Sequence, residues 1–359
     1  MSASAPVVII LAAGLGTRMK SSRAKVLHEV AGRPLIGWAV ETAQAAGAAR
    51  VIAVLGHQLD KVAAALQARF GEGHVGIAHQ TEQRGTGHAV MSALPSLADE
   101  PDDRIVLITS GDAPLLPART LAALAEACGR AASDLALVTA RMPRPMPYGR
   151  VVRDARGAIA RIVEDADASP RERQIDEINA GFYAIRLARL RADVASLKTD
   201  NAQGELYLTD LVARAAARGE VGVIEAAYDE VAGINDRRDL AAVESICRRR
   251  IREAWMREGV RFAAPEQALI DADVGPVGRD AYIGPGVHLR GHTRIGENCV
   301  IDAGCVLTDA EVSPGATIAP YCVIDRASIG EGAVVGPFAH VAAGSQVAAG
   351  ARLGSFAVG

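Results

Sequence analysis

"YIGPGVHLRGHTRIGENCVIDAGCVLTD", residues 282–309, carries an aliphatic residue at every sixth position. Extended both ways, the series runs Val277, Ile283, Leu289, Ile295, Ile301 and Leu307. It shortens by one residue to Val312, Ile318 and Ile324, and once more to Ile329, Val335, Val341, Val347 and Leu353. Two residues before nearly every member stands a small side chain, among them Ala281, Thr293, Cys299, Cys305, Ala310, Ala316, Cys322, Ala333 and Ala339. Self-similarity at this period predicts a parallel β-helix, in which each aliphatic group stacks on its counterpart one coil away and the small neighbour lets the chain turn a corner. Cys299, Cys305 and Cys322 are then packing residues, since free cysteine behaves as a small buried hydrophobe; a disulfide or ligand role for Cys299 and Cys305 is the alternative.

Upstream, "RRDLAAVESICRRRIREAWMRE" (237–258) places Leu240, Val243, Cys247, Ile251 and Ala254 at helical spacing, which predicts one long connecting helix. Its arginines suggest RNA or a solvated face; Asp239, Glu244, Glu253 and Glu258 interleave with them and favour the solvated face. From the start to about residue 235, strand-like runs ("VVIILA", "RVIAVLG", "HVGIAH", "RIVLITSGD", "DLALVTA") alternate with helical ones ("PLIGWAVETAQAAG", "DKVAAALQARF", "PARTLAALAEACG"). Pro34 stands where an N1 proline belongs and Gly47 where a C′ glycine belongs. The alternation predicts a mainly parallel sheet with helices on both faces and a ligand crevice outside the carboxyl ends of its strands. The expected domains are 1–236, a linker helix 237–262 and a β-helix 263–359.

The chain has 359 residues, half of them apolar, and a net charge of −3, so bulk electrostatics point neither to nucleic acid nor to an anionic membrane; a bound phosphate must be held locally. "MSASAPVVIILAAG" has no basic residue before its short apolar run and reads as a buried strand, not a signal peptide or a membrane span. Five scattered cysteines without a CxxC pair suit a reducing cytoplasm.

"LAAGLGTRMKSSRAKVLHEVAGRPL" (11–35) lacks the lysine of a Walker A loop, and Met19 stands at the third glycine of a dinucleotide fingerprint. A glycine turn after a strand, with Arg18 and Lys25 nearby, suits the anionic groups of a nucleotide. "LAAGLGTRM" followed by Lys25 resembles the signature L-A-A-G-x-G-T-R-M-x(n)-P-K of sugar-1-phosphate nucleotidyltransferases, with Ala24 where the family usually carries proline. "QTEQRGTGHA" (80–89), "SGDAPLL" (110–116), "PYGRV" (147–151), "IVEDADAS" (162–169), "EINAGFYA" (177–184), "NAQGELYLTD" (201–210) and "GINDR" (233–237) follow in the order of the GlmU type of N-acetylglucosamine-1-phosphate uridyltransferase. The hexads likewise resemble those of left-handed β-helix acyltransferases, where three hexads per coil give about four coils over 277–353.

The resemblance implies a Rossmann-like α/β nucleotidyltransferase domain followed by a left-handed β-helix. It implies UMP transfer from UTP to N-acetylglucosamine-1-phosphate, with Mg²⁺ between Asp112 and Asn235. Arg18 and Lys25 would face phosphates, and Leu11, Ala12, Ala13 and Gly14 would form the nucleotide loop, with Ser110 and Gly111 beside Asp112. Gln80, Gly85 and Thr86 would read uracil; Gly149, Glu164 and Asn179 would hold the sugar. Taken alone, Asp112 before Ala-Pro could cap a turn, Glu164 could be a surface carboxylate, and Asn179 or Asn235 a turn residue; His28 and His88 receive no role. The resemblance also implies a homotrimer, with neither nucleic acid nor membrane as partner. "GPFAHVAAG" (336–344) has His340 where the family's acetyltransferase site carries arginine, and Ala342-Ala343 where it carries Arg-Pro, so acetyl transfer is expected to be absent or incomplete. Other readings are a sister nucleotidyltransferase and a non-catalytic regulatory subunit of similar domain order.

Overall fold

The computed structural model describes residues 5–143 and 146–358; the "MSAS" of the N-terminal run lies outside them. It divides into two compact units, Met1–His28 with Pro34–Asp239, and Glu29–Arg33 with Leu240–Gly359.

The first unit is built on β1 (Val7–Ala12), α1 (Leu35–Ala45), β2 (Arg50–Leu55), α2 (Leu59–Phe70), β3 (Gly76–His79), α3 (Thr86–Ala93), β4 (Ile105–Ser110) and α4 (Ala118–Arg130). These are followed by β5 (Leu135–Arg141), β6 (Arg150–Arg153), β7 (Ile159–Val163), β8 (Glu177–Arg186), α5 (Leu187–Val194), α6 (Asp210–Arg218) and β9 (Gly222–Ala226). The sheet order is β9-β5-β8-β4-β1-β2-β3, with the β6/β7 hairpin joined to β8. The sheet is mainly parallel, as the alternation predicts, with β8 the one strand of this seven-strand path that runs antiparallel, between β4 and β5.

"VVIILA" is apolar throughout because both faces of β1 are covered. Val8 and Ile10 pack in one cluster with Ile36 and Val40 of α1, Val62 of α2 and Leu121 of α4. Val7 and Ile9 pack in another with Val90 of α3, Leu190 of α5 and Val212 of α6. Gly47 takes φ +82° just past α1, as a C′ residue does. Pro34 lies one position earlier than N1, extended at ψ 144°, with Leu35 the first helical residue.

The second unit winds three parallel sheets. Phe262, Ile283, Ile301, Ile318, Val335 and Leu353 align in one, Ile270, Leu289, Leu307, Ile324 and Val341 in the second, and Ile295, Val312, Ile329 and Val347 in the third, which Val277 joins by a bridge to Ile295. Every aliphatic member from Val277 to Val347 is buried. A coil through Phe262 and Ile270 precedes the four that the hexads predict; a 3₁₀ turn at Pro265–Gln267 stretches its spacing and hides it from a period of six.

The five cysteines are free and buried among the described residues. Cys299, Cys305 and Cys322 donate Sγ–H to the carbonyls of Ser313, Ala319 and Gly336 at 3.1, 3.1 and 2.9 Å, which removes the disulfide and ligand alternatives. The long helix α7 spans Arg237–Arg257, after a single turn at Tyr228–Val231, and residues 261–262 already form a strand rather than the end of a linker helix. Its arginines are not simply a solvated face. Arg252 is buried and donates to the Ala268 carbonyl at 3.1 Å, and Arg248 bridges Glu244 and Asp271.

Candidate active site

A cavity of about 510 Å³ opens in the first unit, beyond the carboxyl ends of β1, β3 and β4. Leu11, Ala12, Ala13, Gly14, Lys25, Gln80, Gly85, Thr86, Ser110, Asp112, Gly149, Glu164, Asn179 and Asn235 all line it. Arg18 and Gly111 do not. Arg18 stands exposed at the rim, where its Nη2 donates to Asn235 Oδ1 at 2.9 Å. Gly111 is buried behind the wall, its N–H on the Leu11 carbonyl at 2.9 Å.

The loop after β1 turns at Gly16, φ +61°, where a Cβ would stand 2.6 Å from that of Lys25; glycine is what lets the chain return and bring the lysine inward. Met19 anchors the following turn, fully buried. Lys25 Nζ then pairs with Asp112 Oδ2, and Ser110 donates its hydroxyl to Asp112 Oδ1. The Asp112 carbonyl accepts the Ile234 N–H at 3.0 Å, which fixes the segment carrying Asn235 beside the end of β4. One carboxylate and one neutral amide oxygen thus face the same cavity, each against a cationic side chain. That donor set fits a hard divalent cation completed by phosphate oxygens and water. Among the described residues no cluster of three or more His, Cys, Asp or Glu offers a protein-only metal cage.

At one flank, Gln80 Nε2 donates to the Gly85 carbonyl at 3.1 Å and lies 3.2 Å from His88 Nδ1. Gly85 adopts φ +100° against the 205–206 backbone, where a Cβ would meet the Leu206 carbonyl at 2.7 Å. The Thr86 hydroxyl accepts the Leu208 N–H at 3.1 Å, and Gln83 ties this segment to the Ala13 carbonyl at 2.8 Å. At the other flank, the pairing of β8 with β5 shifts register between Asn179 and Tyr183. Asn179 Nδ2 donates to the Tyr183 hydroxyl at 2.6 Å, and the Asn179 N–H to the Gly149 carbonyl at 2.9 Å. Glu164 accepts the Thr209 hydroxyl at 3.0 Å. Gln83, Tyr183, Glu205 and Thr209 also line the cavity and were not singled out from sequence; all four lie inside motif segments already quoted.

Burial pushes the Glu164 carboxyl above its usual range, with the neighbouring Asp167, Asp210 and Glu205 charges adding to it against the Thr209 hydrogen bond. The sign follows from proton linkage. Between the ordinary and the raised value the folded state holds more protons than the unfolded one, so this group's contribution to stability falls as pH rises through that window. Glu164→Gln is therefore expected to melt like wild type near pH 4 and above it at pH 8, by a margin that grows through the window and then levels off. Thermal melts at the two pH values read this; a variant less stable than wild type at pH 8 contradicts it.

Residues 8–178 match the MobA-like NTP transferase domain, and residues 277–309 match the bacterial transferase hexapeptide (six repeats). Over 311 residues the chain is 47% identical to the bifunctional protein GlmU of Anaeromyxobacter dehalogenans (strain 2CP-C), covering 86% of this chain and 63% of that protein's length. It is 44% identical to the bifunctional protein GlmU of Trichlorobacter lovleyi over 97% of this chain and 75% of that one. With the GlmU of Sorangium cellulosum (strain So ce56) it shares 46% identity over 97% of this chain and 73% of that one. With an NTP transferase domain, a left-handed β-helix of hexapeptide repeats and identity at this level along nearly its whole length, the chain belongs to the GlmU family.

Proposed function

We propose that this chain is a cytoplasmic uridyltransferase that joins UTP and N-acetylglucosamine-1-phosphate into UDP-N-acetylglucosamine and pyrophosphate. One observation carries the reading. A single cavity holds a cation-rich end, with Lys25, Asp112 and Asn235 and with Arg18 at its rim, and an end furnished with hydroxyl and amide groups, Asn179, Tyr183 and Thr209 around Glu164. The first end suits a triphosphate. The second suits a neutral N-acetyl sugar, which offers donors and acceptors without charge.

A sugar-phosphate oxygen attacks the α-phosphorus of UTP; the new P–O bond forms as the bond to the β-phosphate oxygen breaks, and pyrophosphate carries the electron pair away. A phosphate oxygen is already a nucleophile, so the residues' task is to position two polyanions and offset charge on the leaving group. Lys25 and Arg18 hold phosphate oxygens, the Leu11–Gly14 loop offers backbone to the nucleotide, Gln80 with Gly85 and Thr86 borders the base, and Gly149, Glu164 and Asn179 border the sugar. Mg²⁺ held by Asp112 and Asn235 would neutralise charge at the phosphates.

The relatives are named bifunctional. For acetyl transfer the residues here are unfavourable: His340 is exposed on the β-helix, and an imidazole lacks the paired N–H fork of the arginine it replaces. Self-association as a homotrimer has a surface available, where the exposed rings of Tyr321, Phe338 and Phe356 stack at centroid separations of 5.5 and 5.2 Å beside exposed Val323 and Val358; sedimentation equilibrium reads it directly. No helix among the described residues is long and apolar enough to cross a membrane.

A coupled pyrophosphate-release assay tests the reaction. Turnover is expected with UTP, N-acetylglucosamine-1-phosphate and magnesium. Turnover only with dTTP or ATP and glucose-1-phosphate would move the chain to a sister nucleotidyltransferase, and absence of heat on titrating UTP with magnesium would make it a non-catalytic relative.

A further inference from the structure

Arg150 is among the largest fully buried side chains of the molecule, 2% exposed, yet it is charged and takes no part in lining the cavity. Its compensation is thin. One Nη donates to the Tyr148 carbonyl, the other to Asp165 Oδ1 at 3.3 Å, and its Nε makes no hydrogen bond. A buried guanidinium held this sparsely contributes little net stability, and an apolar side chain of similar volume would cost less to bury. What the fork does that an apolar group cannot is tie two separate segments of the chain at once, one through the Tyr148 carbonyl and one through the Asp165 carboxylate.

Those pieces are the ones that matter to the sugar end. Tyr148 precedes Gly149, and Asp165 follows Glu164. Arg150 itself pairs in register with Val163 on β7 and Ile178 on β8, the residues immediately before Glu164 and Asn179. The Gly149 carbonyl in turn accepts the Asn179 N–H at 2.9 Å. All three sugar-facing residues therefore hang from segments that meet at this one residue, two of them, those of Gly149 and Glu164, tied by its side chain and that of Asn179 by backbone pairing.

We propose that Arg150 is a positioning residue for the sugar phosphate: through Tyr148 and Asp165 it sets the separation of the walls carrying Gly149 and Glu164, without touching substrate. The inference rests on the proposed function. Misplacement of a binding wall by a fraction of an ångström should appear in the affinity for the substrate that wall holds and not in the affinity for the nucleotide at the far end. Arg150→Met, which keeps volume and removes both bonds, is expected to raise KM for N-acetylglucosamine-1-phosphate by roughly tenfold while KM for UTP stays within about twofold and the melting temperature stays near wild type. Asp165→Asn, at a partly exposed site, weakens one arm and is expected to raise the same KM by about threefold. The double variant should be no worse than Arg150→Met, because the two changes remove a shared contact.

Two results would overturn this: both KM values rising together, or an unchanged sugar KM in folded Asp165→Asn. Should Arg150→Met fail to fold, Asp165→Asn alone decides. A wild-type enzyme inactive on this substrate pair sinks the functional reading itself, whereas an active wild type with no effect in Asp165→Asn sinks only the role given to Arg150.

Discussion

Asp112→Ala is expected to lower turnover by on the order of 10² or more with little change in melting temperature. The asymmetry follows from where the residue's two kinds of bond go. Its backbone does the structural work, since the carbonyl that accepts the Ile234 N–H is retained in alanine. Its carboxylate faces the cavity, receiving Lys25 and the Ser110 hydroxyl at a side-chain exposure of 19%. Removing it leaves an ammonium that the open cavity can hydrate, so little stability is lost. In the proposed reaction, catalysis would lose the anionic half of the metal pair and the group that orients Lys25, both placed where charge would develop on departing pyrophosphate. The loss should fall equally on kcat and kcat/KM, as expected for an interaction made mainly in the transition state. Steady-state kinetics beside a thermal melt reads both quantities, and near-normal turnover in a folded variant removes Asp112 from the chemistry.

How much of this was legible beforehand depends on whether the information is local. The hexads from Val277 to Val347 announced themselves because stacking requires the same chemistry at the same place in each coil, and every one of those aliphatics is buried. The coil before them did not, because Phe262, Ile270 and Val277 are eight and seven residues apart and a 3₁₀ turn intervenes. The strand "EINAGFYAIR" carries no mark of direction; that it runs antiparallel between β4 and β5 is a long-range fact no window of sequence contains. Helical periodicity in 237–257 counted apolar positions and so passed over Arg252, which buries its stem and satisfies its head on a carbonyl. At the site, residues on the loops after β1 and β4 were legible through motif order. Tyr183 reads as one more apolar strand residue, and only the assembled fold shows it on the face of β8 that Asn179 shares, bordering the cavity.

In the second unit the same stacking that makes the repeat readable makes it brittle to truncation. Ile318→Ala is expected to destabilise that unit by about 2–5 kcal/mol, the range for a large buried aliphatic cut to alanine. Ile318 is fully buried, and its neighbours in register, Ile301 and Val335, are fully buried too. The range is wide elsewhere because sites differ in how far they collapse around the missing atoms. Here the backbone is pinned on both sides: Asp302 N–H bonds the Ile318 carbonyl at 2.9 Å and Ala319 N–H bonds that of Val335 at 2.9 Å. A strand held between two others cannot sink into the void without breaking a ladder, so the cavity persists and the cost should sit in the upper part of the range. Leu353→Ala provides the contrast, since the same kind of deletion at a half-buried position should cost about 1 kcal/mol or less. Urea denaturation followed by amide exchange of residues 300–302 and 317–319 distinguishes the two, and equal losses in both variants would mean that the coils stack far more loosely than their register implies.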